Sequence, residues 1–207
     1  MKKPCKWPGF IAAGMILFFV ACAGPVNLTS WKSPDRNAQV SKIAVLALFA
    51  KLEHIQPFEQ SLDSYFASKG LKCIGSLEFL NPTVQYTLDQ LKSKIDSLGA
   101  DGVLVFTYKG TDETQNYIPP TYTGGWEWGW GGGYWGGGFY GGMTTGGYWT
   151  TTTTINLNTK LYVKDASEAI WTADITVTDP SSTSEAATTI AQKIYADWQK
   201  YNLVKNP

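Results

Sequence analysis

Residues 119–150 are hard to place in any packed core, and the rest of the chain must fold around them. The centre of the segment runs Gly-Gly-Trp-Glu-Trp-Gly-Trp-Gly-Gly-Gly-Tyr-Trp-Gly-Gly-Gly-Phe-Tyr-Gly-Gly, and 13 of the chain's 21 glycines lie in residues 124–147. Glycine loses more backbone freedom on ordering than any other residue. A connection this long inside a compact domain is a binding loop or a low-complexity tract. Regular structure is expected only as hairpin extensions at its two ends. Trp126, Trp128, Trp130, Tyr134, Trp135, Phe139 and Tyr140 form the candidate contact surface, since each joins a large ring to a loop that cannot bury it. Three destinations suit these rings: the membrane–water interface, the faces of sugar rings, or another protein. The plainest alternative is a low-complexity loop folded back on its own domain. Phosphate cradling is excluded, because no Gly-Lys-Ser/Thr follows and no helix begins there.

Before the insertion, apolar runs and amphipathic stretches alternate. Residues 42–50 are almost continuously apolar, as in a strand buried on both faces. Residues 54–69 predict a helix with Ile55, Phe58, Leu62 and Phe66 on one side and Gly70 as its stop; Pro57 is placed in its first turn. Residues 71–77 give a second strand. Over 83–98, Val84, Leu88, Leu91, Ile95 and Leu98 form one stripe of a helix. A third strand covers 101–108, with an extension toward Ile118. This βαβαβ order points to a largely parallel core. Beyond the insertion, 155–164 alternates as a half-buried strand, 164–168 turns, and 169–178 returns. Ser182 and Glu185 resemble a capping box opening a final helix, with Ala187, Ile190, Ile194, Trp198 and Tyr201 inward. The expected fold is therefore α/β (α+β): one domain over 42–204, a mixed five-stranded sheet in βαβαβ-β-β-α order with helices packed on it.

The N-terminus carries an address. Lys2, Lys3 and Lys6 precede an apolar core, Gly9 to Val20, which runs directly into Ala21-Cys22. At about 12 residues that core is short of the roughly 20 needed for a span. Residues 1–21 read as a signal peptide and Cys22 as the acylated first residue of the mature chain, although Phe19 stands where Leu, Val or Ile is usual. Two or three acyl chains suffice for stable attachment. Ala23, where an inner-membrane lipoprotein often has Asp, directs the expectation to the outer membrane and its periplasmic face. Residues 22–41, with Pro25 and Pro34, read as a lipidated, irregular tether. Cys5 leaves with the signal and Cys73 sits in a strand, where a buried cysteine acts as a small hydrophobe.

Charge and composition narrow the chemistry. The chain has 17 basic and 17 acidic residues without a basic cluster, so no nucleic-acid partner is expected. His54, the only histidine, removes the usual His-based triads and multi-histidine zinc sites, and reads as a surface residue near a helix start. Acidic pairs such as Asp112 with Glu113 and Asp165 with Glu168 fall in turn-like positions. No catalytic residue, metal or cofactor is expected, and the chain is read as a non-enzyme. A carboxylate-based cell-wall or polysaccharide enzyme, or a subunit of an oligomeric envelope pore, is the alternative.

Thr29-Ser30-Trp31-Lys32, the 42–46 strand, Leu98-Gly99-Ala100-Asp101-Gly102-Val103-Leu104-Val105, the Gly/aromatic insertion and Ala169-Ile170-Trp171-Thr172-Ala173 together resemble uncharacterised bacterial lipoproteins with a domain of unknown function. At greater distance the element order is similar to periplasmic domains of the TolB amino-terminal, curli-secretion lipoprotein and penicillin-binding-protein-activator kind. That resemblance implies a module that recruits or assembles envelope partners, protein or glycan, while its lipid on Cys22 holds it to the membrane.

Overall fold

The computed structural model describes residues 25–118, 121–122, 144–145, 148–164, 166 and 168–204. Its elements in chain order are β1 (Val26–Lys32), β2 (Lys42–Leu48), α1 (Leu52–Ser68), β3 (Lys72–Gly75), α2 (Ser76–Phe79), α3 (Leu88–Ser97), β4 (Gly102–Ile118), β5 (Thr121–Tyr122), β6 (Thr144–Thr145), β7 (Tyr148–Val163), β8 (Trp171–Thr178) and α4 (Thr183–Lys200). Six strands form one sheet in the order β1-β8-β7-β4-β2-β3. β2 pairs in parallel with β3 and β4, and the other three pairings are antiparallel. The mixed α/β sheet with packed helices is as expected, with six strands in place of five.

The sixth strand comes from the segment read as an irregular tether. β1 lies along the free edge of β8, with Val26 opposite Val177 and Lys32 opposite Trp171. Its residues alternate, Val26 buried and Asn27 exposed, as a strand with one covered face does. Pro25 and Pro34 both fall outside the paired residues, where they interrupt no ladder.

α1 and α4 pack together on one face of the sheet. Between them and the strands lie Ile43, Val45, Leu62, Phe66, Leu104, Phe106, Leu161, Trp171, Ile190, Ile194 and Trp198, all buried. Trp198 stacks on Phe66 at 5.9 Å between ring centroids and meets the edge of Trp171 at 5.6 Å. Trp171 Nε1 donates to the Asp197 carboxylate at 2.9 Å, so the indole is buried with its polar atom paired. Of the capping box expected at Ser182 and Glu185, one half is present: Ser182 caps α4, accepting from the Glu185 N–H at 3.1 Å.

Three local expectations are revised. α1 begins at Leu52, so Pro57 lies in its second turn, where it lacks the N–H that would reach the Glu53 carbonyl. The strand expected over 71–77 stops at Gly75, where α2 begins; a Cβ at Gly75 would fall 2.8 Å from a Glu59 carboxylate oxygen. The helix expected over 83–98 starts only at Leu88, because Thr87 caps it and exchanges bonds with Gln90. None of its residues is buried, and Leu88 is 85% exposed. Of its apolar stripe, Leu91, Ile95 and Leu98 are half-buried, while Val84 and Leu88 stay exposed.

Candidate functional site

Two features stand at one end of the sheet, the end at which β2, β4 and β8 finish and β1 begins. The first is an arm. β8 ends opposite Thr154, which pairs with Asp112, yet β4 and β7 continue together to Ile118 and Tyr148. Six further residues of β4 extend the two-stranded ribbon by about 20 Å. Just before the arm begins, the register shifts between Tyr108 and Gly110, where Gly110 has φ +141°, a value that side-chain-bearing residues rarely adopt. β7 is stiffened by an unbroken threonine run, Thr150 to Thr154, whose branched side chains favour extended backbone.

The arm carries the described aromatic residues next to the glycine-rich segment. Tyr117 and Trp149 are register partners with ring centroids 5.1 Å apart, and both stay largely exposed, Trp149 at 68%. Ile118 and Tyr148 are the adjacent exposed pair. Sequence reasoning counted residues 148–150 within the irregular insertion; the β-branched run that follows them was the available signal for a strand. β5 and β6 pair beyond, giving the hairpin extension expected at the ends of the insertion. Trp126, Trp128, Trp130, Tyr134, Trp135, Phe139 and Tyr140 lie outside the described residues, as does Cys22.

The second feature is a cavity of about 490 Å³ at the base of the arm. Phe49, Phe58, Ile155, Leu157, Val177 and Ile190 form apolar walls, and Tyr108 and Thr111 close it on the arm side. The starts of the two long helices supply Lys51, His54, Ser182 and Thr183. His54 Nδ1 is 3.4 Å from the Thr183 hydroxyl, linking the two helix starts, and its other ring nitrogen is 3.7 Å from Glu53. Sequence reading placed His54 near a helix start but missed this cavity, because its walls come from segments more than 100 residues apart. No carboxylate is among the lining residues.

Acidic groups elsewhere are held by local structure. Glu59, buried on α1, accepts from Ser76 Oγ at 2.6 Å, the Ala47 N–H at 3.2 Å and the Leu77 N–H at 3.3 Å. Burial raises its pKa despite those donors. Asp63 is raised too, by burial and by Glu78. Burial, with Asp63, Glu59 and Glu78 nearby, pushes the Cys73 thiol far up, so this free cysteine stays protonated and inert, as read. Asp112 accepts from Asn156 on the exposed arm at 2.7 Å. Asp165 lies outside the described residues.

No protein-family model matches the chain. No curated protein matches it either. Among solved structures, a PelC dodecamer from Paraburkholderia phytofirmans is similar at 13% identity and TM-score 0.46, covering 87% of this chain and 99% of that chain. A point variant of that protein in a second crystal form gives 15% and 0.45, covering 85% and 98%. A PDZ domain protein from Parabacteroides distasonis gives 7% and 0.35, covering 88% of this chain and 38% of its own.

Proposed function

We propose that the protein is a lipoprotein of the outer membrane, anchored through Cys22 on the periplasmic face, and that it acts as a non-catalytic binding or assembly module of the cell envelope. The observation that carries this reading is the arm. A protein with no need of contact gains nothing from a two-stranded ribbon that leaves its sheet by about 20 Å and exposes Tyr117, Ile118, Tyr148 and Trp149. Aromatic residues of this amphipathic kind are favoured at interfaces and at membrane surfaces. The strands also lead into the segment with the seven aromatic residues from Trp126 to Tyr140, which extends the same chemistry in sequence.

Topology supports the envelope reading further. β1 starts at Val26, four residues after Cys22, and at the same end of the sheet from which the arm departs. The described chain therefore enters the sheet at the end from which the arm departs. Among the described residues no helix is long and apolar enough to cross a membrane. The test is a photocrosslinking residue at Tyr148 in the intact envelope, beside the same residue at Ser97 as control, with Cys22→Ser fractionated in parallel. A discrete adduct at 148 alone, and release of Cys22→Ser from the membrane fraction, are expected. No adduct above the control removes the contact role; unchanged fractionation removes the lipid anchor.

A further inference from the structure

We propose that the cavity between the starts of α1 and α4 is a binding site for a single acyl chain. Its walls are aromatic and branched aliphatic side chains, and its volume of about 490 Å³ falls in the range of ligand pockets. A sugar or peptide entering there would leave hydroxyls or amides unpaired against Phe49, Phe58, Leu157 and Ile190. An acyl chain needs only apolar contact and room. The polar side chains of the lining, Lys51 and His54 among them, belong to the helix starts, where the head of an amphiphile would meet them.

The position of the cavity says where such a chain comes from. Val177 lines it and is the register partner of Val26; the next residue, Thr178, donates its N–H to the Pro25 carbonyl at 3.1 Å. Only Ala23 and Gly24 separate Pro25 from Cys22 in sequence, a reach of about 10 Å in extended backbone. Lipid attached to Cys22, or lipid of the membrane that it enters, is thus brought to the cavity end of the sheet. A tethered chain would also act at high effective concentration. Both sources present the same chemistry. This placement rests on the reading of Cys22 as acylated, whereas the capacity of the cavity does not.

The test uses the full mature chain carrying Cys22→Ser, titrated with a fluorescent sixteen-carbon fatty acid. Saturable one-to-one binding is expected, weakened at least tenfold by Ala186→Phe, which fills the cavity from α4. Ala50→Trp, at an exposed lining position, serves the same purpose if the first variant does not fold. Lipidated wild type that excludes the probe identifies the protein's own acyl chain as occupant. Wild type that binds it as Cys22→Ser does identifies a separate lipid. Absence of saturable binding, or binding that survives both variants, overturns the site. The mass of the mature N-terminal peptide reads acylation independently, so a failed anchor and a failed cavity remain distinct results.

Discussion

Two buried side chains set the behaviour of the domain at the scale of single residues. Trp198 has no exposed surface, and its indole N–H finds no acceptor among the described residues. Its contribution is therefore ring contact with Phe66 and Trp171. Trp198→Ala is expected to cost about 3–5 kcal/mol in urea unfolding. Trp198→Phe, which keeps a ring and removes an unpaired donor, is expected to cost less than half as much. Glu59 behaves differently because its charge is what burial penalises. Its raised pKa means the native state binds a proton that the unfolded state releases at lower pH. Its favourable share is present in full below the ordinary value of 4.5 and is lost as pH rises through the higher native value. Asp63 adds a slope of the same sign. Urea unfolding across pH 4 to 8 should show stability falling with pH more steeply in wild type than in Glu59→Gln; parallel curves would mean that Glu59 is not the titrating group.

At the scale of elements, α1 and α3 show what local signals do and do not convey. The α1 stripe of Phe58, Leu62 and Phe66 was legible because 3.6-residue spacing dictates one face. Its start was not: with no side-chain cap at Lys51, the sequence carried no marker for Leu52. Pro57 consequently interrupts the helix, and Pro57→Ala should restore a backbone bond to Glu53. After loss of the proline's restraint on the unfolded chain, a net gain of about 1–2 kcal/mol is expected by thermal or urea unfolding. In α3 the opposite happened. The same periodicity was read over 83–98, yet Val84 and Leu88 stand exposed, since spacing specifies a stripe without specifying a neighbour. The Thr87–Gln90 pair, a purely local interaction, marks the observed start better than the apolar pattern does.

On the scale of the whole molecule, β1 forms one edge of the sheet and fixes the end at which the chain enters it. Its contribution is a row of backbone hydrogen bonds to β8 together with the burial of Val26. Removal of residues 25–32 would bare β8, whose inner face contains Trp171, Ala173, Ile175 and Val177. β8 has four buried residues where β1 has one, so its bared edge invites pairing with another chain more strongly than the β1 edge does. The truncated protein should therefore self-associate in size-exclusion chromatography at concentrations where the mature chain does not. Retention of the original elution volume would show that β8 needs no cover.

The sequence by itself determined the α/β class, the strands after the first from their period of two or their continuous apolarity, and the Ser182 cap of α4. Each follows from interactions between residues close along the chain. It also set out the N-terminal features from which lipidation at Cys22 is proposed. Tertiary structure decided the pairing of β1 with β8, the reach of β4 and β7 into an arm, and the meeting of Val26, His54, Tyr108, Val177 and Thr183 around one end of the sheet. Those features depend on which edge is left unpaired and which helix starts converge. A one-dimensional pattern does not encode that geometry, because backbone hydrogen bonds across a sheet are the same for every residue type.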